Sequence, residues 1–281
     1  MIPLEMSLDQ FGKLCHMIYE KLGLTFDERK VHFLTKRVGL RMNVLGIADI
    51  SQYTFMLGYA DPKGEEMQAL ANLITINETY MFREYEQLQA FADYCLPEVV
   101  ARKEKQGDRS LRIWSAGCSS GEEPYTLAII VKEVFNDSGS WDIRIAATDV
   151  DEDRLVMARA AVYGDRSVKN VPQEYVARHF VQNGENFHVS PSITALVDVG
   201  HLNLSDRLQM RSMRDFDFIF CRNVLIYFDD QSRKATVDHF YKALRPGGFI
   251  FLGHSESVGR ISSAFSLRRL GESLVYMKPN L

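Results

Sequence analysis

Apolar residues recur at every third or fourth position over the first part of the chain, which is the spacing of one face of an α-helix. Phe11, Leu14, Ile18 and Leu22 follow this spacing and predict a first helix that ends at Gly23. Three further helices are predicted at residues 27–45, 51–59 and 65–73. Residues 1–73 are therefore expected to form a small all-helical domain.

Residues 74–84 form a connector that is too apolar and aromatic to be a free linker. It also carries the polar residues Asn77, Thr79 and Arg83. Burying such groups without partners is costly, so we expect them to close a polar pocket. An amphipathic helix follows at residues 85–105, with Pro97 as a candidate break.

From residue 111 the chain alternates short apolar runs with helical segments, which is typical of a parallel sheet. Strands are predicted at residues 111–116, 143–148, 217–221 and 249–252, and residues 245–248 read as a sharp turn. Two last runs, 266–270 and 273–277, predict a closing antiparallel hairpin. Residues 162–199 break the alternation and predict an inserted small antiparallel β-subdomain, with a short helix at 173–179 and a turn at 182–186. The fold class is α/β, and residues 85–281 form this second domain.

Composition and charge narrow the class of protein. The chain of 281 residues is 46% hydrophobic and 25% charged, with a net charge of −4, so a nucleic-acid-binding surface is not indicated. Its four cysteines are scattered without a C-x-x-C pair, and its seven histidines lack ligand spacing. We expect reduced cysteines, no metal, no signal peptide, no membrane insertion and a cytoplasmic location.

The segment 114–125 joins the first predicted strand to a helix through a turn of small residues. Strand, glycine turn and helix build a nucleotide pocket at the edge of an open α/β sheet. The spacing is not G-x-G-x-x-G, and the turn carries Glu122 and Glu123 where a pyrophosphate would need bare amides. These features disfavour a nicotinamide oxidoreductase and favour a cationic, hydroxyl-rich ligand such as S-adenosylmethionine (SAM). One glutamate would face the ligand and the other the helix dipole, and we favour Glu122 for the ligand with little to separate the two.

Polar residues follow other predicted strands. Asp149 ends the second strand, where a carboxylate bonds ribose hydroxyls, whereas Asp151 fits a helix cap better. Arg222 and Asn223 follow an apolar strand and are placed to reach a ligand. Asn203, beside Leu204, is as well explained by a turn cap as by adenine contact. His254-Ser255 has no G-x-S-x-G elbow beside it, so a hydrolase is rejected.

The second predicted helix carries a basic stripe of Lys30, Arg37 and Arg41. Such a stripe is most often a solvated surface. In a chain of net charge −4 it is a local asymmetry that could dock an acidic helix.

Taken together, these motifs resemble the CheR-type chemoreceptor glutamate O-methyltransferases. The resemblance rests on the residues around Asn77, Thr79 and Arg83, the segment 114–125, Asp149, Asn203-Leu204 and the run 221–228, and it covers nearly the whole chain. It implies a helical receptor-docking domain, a class I SAM-methyltransferase (Rossmann-like) domain with an inserted β-subdomain, and methyl transfer from SAM to glutamate side chains of chemoreceptors, with S-adenosylhomocysteine (SAH) as product. The turn at 182–186 looks shorter than in members that grip a receptor's terminal peptide.

The resemblance also implies roles for individual residues. Arg83, Arg222 and Tyr227 lie near the transferred methyl, although a tyrosine in an apolar run is more often core. The cofactor-binding set is Asn77, Thr79, Arg83, Glu122, Asp149, Asn203, Leu204, Arg222 and Asn223. Lys30, Arg37 and Arg41 would dock the cytoplasmic helical bundle of a chemoreceptor, and we expect a monomer. The alternatives are a SAM-binding scaffold and a methyltransferase of another protein or a small molecule.

Overall fold

A computed structural model of the chain describes residues 6–135, 141–256 and 262–280. The N-terminal part contains four α-helices, as the apolar spacing predicts: α1 (Leu8–Leu22), α2 (Val31–Leu45), α3 (Ile50–Tyr59) and α4 (Glu65–Ile74). Ser7 and Gln10 form a capping box at the start of α1, and Gly23 ends this helix in the left-handed conformation. The apolar faces meet in one core that includes Leu14, Ile18, Leu34, Val38, Tyr53 and Leu70.

The predicted helix at 85–105 is continuous but not uniform. It consists of α5 (Tyr85–Ala90), a π-helical turn (Phe91–Cys95) and α6 (Leu96–Lys105). Pro97 lacks an amide proton and its ring crowds the preceding turn, so the wider π turn lets the helix pass through the proline. The ring of Phe91 on this turn packs edge-on against Phe218 and Phe220 of the sheet, with centroids 5.0 and 5.2 Å apart.

The remaining chain alternates strands and helices. In order these are β1 (Ser110–Ala116), α7 (Glu122–Phe135), β2 (Asp142–Asp149), α8 (Glu152–Ala160), β3 (Val162–Tyr163), α9 (Asp165–Val168), α10 (Gln173–His179), β4 (Phe180–Asn183), β5 (Asn186–Val189), α11 (Pro191–Thr194), β6 (Val197–His201), α12 (Arg207–Ser212), β7 (Phe216–Cys221), α13 (Asp230–Ala243), β8 (Leu244–Leu252), β9 (Ser266–Leu270) and β10 (Ser273–Met277).

The main sheet has seven strands in the order β6-β2-β1-β7-β8-β10-β9. The five strands from β6 to β8 are parallel, and β10 and β9 close the sheet as an antiparallel hairpin. From β1 the chain first builds outward through β2 to β6 and then returns to place β7 on the other side of β1. The topology therefore reverses between β1 and β7, and ligands of open α/β sheets bind at the carboxyl ends of the strands beside such a point.

The insertion forms a separate three-stranded antiparallel sheet in the order β3-β5-β4. Its predicted C-terminal end, residue 199, is corrected by the structure, because β6 begins at Val197 and pairs in parallel with β2. Val197 and Val199 pack against Cys118 and Leu155 on one face of the main sheet. The burial of these two apolar side chains favours the main sheet over the insertion.

The turn predicted at 245–248 is also corrected, since these residues lie within β8. The pairing of β7 with β8 shifts register between Phe216 and Phe218, which pair with Leu244 and Phe249. The extra residues of β8 form an irregularity that holds Gly247 at a φ of 71°. A strong turn signal here marks a bulge in a strand.

Candidate active site

A cavity opens at the carboxyl ends of β1 and β7, at the reversal point of the topology. Its empty space is about 1110 Å³ including the solvent-open mouth, which suits a small-molecule site. Three parts of the chain surround it: the strand ends of the sheet, the connector, and the segment that follows α1. The predicted site residues that line it are Asn77, Thr79, Arg83, Asp149, Asn203, Leu204, Arg222, Asn223 and Tyr227.

The turn from β1 to α7 forms one wall of the cavity. Gly117 has a φ of 84°, and a Cβ there would lie 2.4 Å from Cγ2 of Val224, so the turn can approach the end of β7 only with glycine. The backbone N–H of Ser119 donates to Oδ2 of Asp149 at 2.7 Å. The other carboxylate oxygen of Asp149 accepts the N–H of Asp151 at 2.9 Å. The carboxylate that ends β2 is thus held in a fixed orientation at the cavity.

Burial of Asp149 raises the pKa of its carboxyl, and the hydrogen bonds from the amides of Asp151 and Ser119 oppose this shift. Asp151 itself caps α8 by accepting the N–H of Arg154 at 3.1 Å, as predicted from its position. The structure therefore separates the two aspartates: Asp149 lines the cavity, whereas Asp151 does not.

The structure places Glu123, and not the favoured Glu122, on the lining of the cavity. Glu123 lines the cavity, accepts the hydroxyl of Ser115 at 2.7 Å and lies 3.0 Å from Nε of Arg222. Glu122 instead accepts hydroxyls from Ser120 at 2.8 Å and Ser167 at 2.9 Å. Successive residues of a helix point about 100° apart. The serine of the insertion therefore holds Glu122, and Glu123 faces the cavity.

Burial raises the pKa of Glu123, and the positive charge of Arg222 opposes this shift. Arg222 is itself buried, and its Nη2 donates to the carbonyl of Arg83 at 2.8 Å. The ion pair and this hydrogen bond tie the end of β7 to both the glycine turn and the connector. Burial also raises the pKa of Tyr227, while the charge of Arg83 opposes it.

Two of the polar residues of the connector, Asn77 and Arg83, have hydrogen-bond partners. Nδ2 of Asn77 and Oγ1 of Thr75 each donate to Oδ2 of Asp151 at 2.7 Å. Nη1 of Arg83 donates to the carbonyl of Glu78 at 2.6 Å. These bonds hold the connector across the carboxyl end of β2, which leaves Asn77, Thr79 and Arg83 along the cavity.

Asn203 forms the turn that was one of the two roles considered for it, and it also lies on the cavity. Its Oδ1 accepts the N–H of Ser205 at 2.9 Å, which makes the turn after β6, and it also lines the cavity. Its Nδ2 donates to the carbonyl of Lys21 at 2.7 Å. The same side chain therefore fixes the end of α1 against the second domain.

The segment that follows α1 covers the cavity, which the sequence patterns did not indicate. Leu22, Leu24, Thr25 and Phe26 all line it. The N–H and hydroxyl of Thr25 donate to the carbonyl of Tyr227 at 3.0 and 3.1 Å. The helical domain thus supplies part of the site. A loop of mixed polarity between two helices gives no signal of this contact.

The predicted basic stripe divides into two parts. Lys30 and Arg37 lie over the ring of Phe33, at 5.9 and 5.1 Å from its centroid. Phe33 in turn stacks on Phe26 at 6.2 Å, so these cations lie beside the cavity. Arg41 does not belong to this surface, which corrects the sequence prediction.

Arg41 points inward instead, where it forms a two-point ion pair with Glu66 at 2.6 and 3.0 Å. Glu66 also accepts the hydroxyl of buried Tyr53 at 2.8 Å. The charge of Arg41 is thus paired inside the helical domain, because Glu66 lies on the neighbouring helix α4.

Several buried polar atoms of residues that line the cavity have no hydrogen-bond partner within the described residues. They are Oγ of Ser119, Nε and Nη1 of Arg222 and Oδ1 of Asn223, of which Nε of Arg222 still lies at ion-pair distance from Glu123. Buried polar groups are normally paired, so a ligand with both donors and acceptors fits this lining. The carboxylates of Asp149 and Glu123 line the same cavity and accept hydrogen bonds. Together these groups suit a ligand that carries a diol and an amine.

Neither a candidate metal cluster nor a candidate membrane-spanning helix occurs in the described ranges. No group of three or more His, Cys, Asp or Glu side chains there is arranged to hold a metal ion. Within the same ranges, no helix has the length and apolar character to span a bilayer.

Comparison with known proteins identifies the family. Residues 9–75 match the model of the CheR methyltransferase all-alpha domain, and residues 77–272 match that of the CheR methyltransferase SAM binding domain. Chemotaxis protein methyltransferase 2 of Vibrio cholerae is 38% identical over 271 residues, which are 96% of this chain and 93% of that protein. The chemotaxis protein methyltransferases of Salmonella typhimurium and Escherichia coli are each 31% identical over 94% of this chain and over 89% and 90% of their own lengths. These matches of the chain to the domain models and to the relatives show that it belongs to the CheR methyltransferase family and is a SAM-dependent methyltransferase.

Proposed function

We propose that this chain transfers the methyl group of SAM to glutamate side-chain carboxylates of chemoreceptors, giving methyl esters. The observation that carries the proposal is the cavity between β1 and β7. Two carboxylates suited to the cofactor, Asp149 and Glu123, lie there together with Arg83, Arg222 and Tyr227. The names of the relatives, chemotaxis protein methyltransferases, support the receptor as substrate.

The cofactor would be held by side chains that are already oriented. Asp149 has both oxygens fixed by amide hydrogen bonds and would accept the ribose hydroxyls. Glu123 would accept the α-amino group, since its carboxylate faces the cavity beside Ser115. Bound SAM supplies an electrophilic methyl group on sulfur. No metal is needed for this chemistry.

The substrate needs no general base in this reaction. A glutamate carboxylate has a reference pKa of about 4.3, so it is ionised near neutral pH and can attack a sulfonium methyl directly. The protein contributes alignment and removal of water, which together can supply several kcal/mol of the barrier. Arg222 and Tyr227 would orient the incoming carboxylate, and the ion pair with Glu123 keeps Arg222 from gripping it too strongly.

The partner would dock beside the mouth of the cavity. Lys30 and Arg37 lie over Phe33, and Phe33 stacks on the cavity-lining Phe26. An acidic helix of the cytoplasmic bundle of a chemoreceptor complements this surface in charge. We infer a cytoplasmic enzyme that acts as a monomer and does not bind nucleic acid.

The test is methyl transfer from SAM labelled in its methyl group to membranes enriched in chemoreceptors. A glutamate methyl ester is cleaved by mild alkali and releases volatile labelled methanol, whereas an N-methyl product does not. We expect alkali-labile label on the receptor, and loss of it when Arg222→Ala is used in place of the wild type.

A double charge reversal, Lys30→Glu with Arg37→Glu, tests the docking surface. It should lower kcat/KM for receptor and leave SAH affinity unchanged. Label that resists alkali, or wild-type protein that binds SAH but labels no receptor, would contradict the proposal. The second outcome would favour a scaffold.

A further inference from the structure

The carboxylate of Glu256 lies beneath the turn that follows β7. Its Oε2 accepts the backbone N–H groups of Asn223 at 2.9 Å and Gly253 at 2.7 Å. Its Oε1 accepts the N–H of Ile226 at 3.2 Å. One side chain therefore joins the end of β8 to both ends of a tight turn at the end of β7.

This turn carries the residues closest to the proposed chemistry. It begins directly after Arg222, passes through Asn223 at a φ of 61° and ends in a short 3₁₀ helix (Leu225–Tyr227). A left-handed asparagine is tolerated but not favoured over an extended one, so the turn needs external support. The three hydrogen bonds that the Glu256 carboxylate accepts provide that support. An ionised acceptor bonds amides more strongly than a neutral one.

The space around the carboxylate leaves little freedom. A Cβ on Gly253 would lie 2.8 Å from Oε2 of Glu256 and 2.9 Å from the backbone nitrogen of Asn223. The end of β8 and the turn are thus packed at backbone contact. The burial of Glu256 raises its pKa, and the hydrogen bonds from the backbone amides oppose that shift.

We propose that Glu256 is a positioning residue for methyl transfer, which holds Arg222 and Tyr227 in register with the bound cofactor through the turn between them. This inference rests on the proposed function, since it assigns the turn to the reacting carboxylate. Glu256 does not line the cavity, so its effect passes through the backbone that it holds.

Three variants test the inference, and an exposed glutamate provides the control. Glu256→Ala removes both acceptor oxygens and so all three hydrogen bonds, Glu256→Gln keeps one acceptor oxygen, and Gly253→Ala keeps the carboxylate but places a Cβ against it and against the backbone of Asn223. The matched control is Glu272→Ala on the β9–β10 hairpin, whose side chain is 83% exposed and contacts Arg269 at 3.5 Å. SAH titration by calorimetry counts the competent binding sites of each protein, and kcat is then expressed per site.

We expect kcat per site to fall about tenfold to a hundredfold in Glu256→Ala, because small displacements of positioning groups have effects of this size. Glu256→Gln should fall between Glu256→Ala and the wild type, and Gly253→Ala should lose rate in the same way. The dissociation constant for SAH should rise by a smaller factor than kcat per site falls, because Asn223 belongs to the displaced turn whereas Asp149 and the β1–α7 turn are untouched.

A merely structural role would lower the number of binding sites or the melting temperature but leave kcat per site unchanged. If Glu256→Ala and Gly253→Ala both keep wild-type kcat per site, the inference is wrong. If the wild type and Glu272→Ala also fail to methylate receptor, the proposed function fails instead, which distinguishes the two claims.

Discussion

Substitution of Gly23 by alanine tests whether the helical domain is part of the cofactor site. Gly23 ends α1 at a φ of 68°, and a Cβ there would lie 2.0 Å from Oγ of Ser205 and 3.1 Å from its Cβ. That same hydroxyl donates to the carbonyl of Leu22 at 2.9 Å. The substitution therefore adds backbone strain and also forces apart the contact between α1 and the turn after β6.

The two costs can be separated with a matched variant. Gly46 ends α2 at a φ of 70°, and a Cβ there would meet nothing within 4 Å. Gly46→Ala should therefore cost only the left-handed backbone penalty, about 1 kcal/mol of unfolding free energy. Gly23→Ala should cost about 1 kcal/mol more, because the Ser205 hydrogen bond is also lost. The residues that follow Gly23 line the cavity, so its SAH dissociation constant should rise about tenfold.

The assays are urea unfolding and calorimetric titration of SAH for both variants, the wild type and the double variant Gly23→Ala/Ser205→Ala. Removing the hydroxyl should relieve the overlap, so the double variant should bind SAH more tightly than Gly23→Ala alone. Equal SAH affinities for Gly23→Ala and Gly46→Ala would refute the claim that the segment after α1 forms part of the site.

Three shorter predictions concern individual carboxylates and an arginine. Glu123→Gln should raise the SAH dissociation constant about tenfold, because it removes a charge-assisted contact. Glu122→Gln should change this constant less than about threefold. If calorimetry shows the opposite order, Glu122 and not Glu123 contacts the ligand. Arg41→Ala should lower the free energy of urea unfolding by about 3 kcal/mol, since Glu66 then stays buried without its cationic partner. An SAH affinity that falls in proportion would instead place Arg41 in the site. The hydroxyl of Ser110 and the ammonium of Lys103 hold the pKa of Asp108 below its usual range. The contribution of Asp108 to the free energy of unfolding is therefore present at neutral pH and is lost as the pH falls from the ordinary aspartate pKa to the lowered one. Asp108→Asn should therefore melt lower than wild type at pH 7, and a difference that does not shrink in acid would contradict this.

The order of elements could be predicted because local patterns carry it. Apolar spacing along Phe11–Leu22 and alternating strands after residue 110 leave few choices, and the capping box at Ser7 is a local feature. What failed depends on distant partners. Val197 belongs to the main sheet because it pairs with Ile145 of β2. Arg41 turns inward because it binds Glu66, which lies 25 residues further along the chain and outside the pattern of its own helix.

The site followed the same rule. Asp149 could be predicted because the end of a strand next to a glycine turn has one orientation. Which of Glu122 and Glu123 lines the cavity could not be predicted, because the hydroxyl that holds Glu122 away from it belongs to Ser167 of the insertion. Phe26 was missed because nothing in its own segment shows that the helical domain covers the sheet edge.

The most direct test of the account is calorimetric titration of SAM and SAH into the wild type, Asp149→Ala and the control Asp198→Ala. Asp198 lies on β6 with its side chain 74% exposed and 3.9 Å from Arg144, and it does not line the cavity. We expect one site per chain in the wild type and in Asp198→Ala, and affinity at least about tenfold weaker in folded Asp149→Ala. Absence of binding by folded wild type, or equal affinity in all three proteins, would contradict the claim that this cavity is the cofactor site.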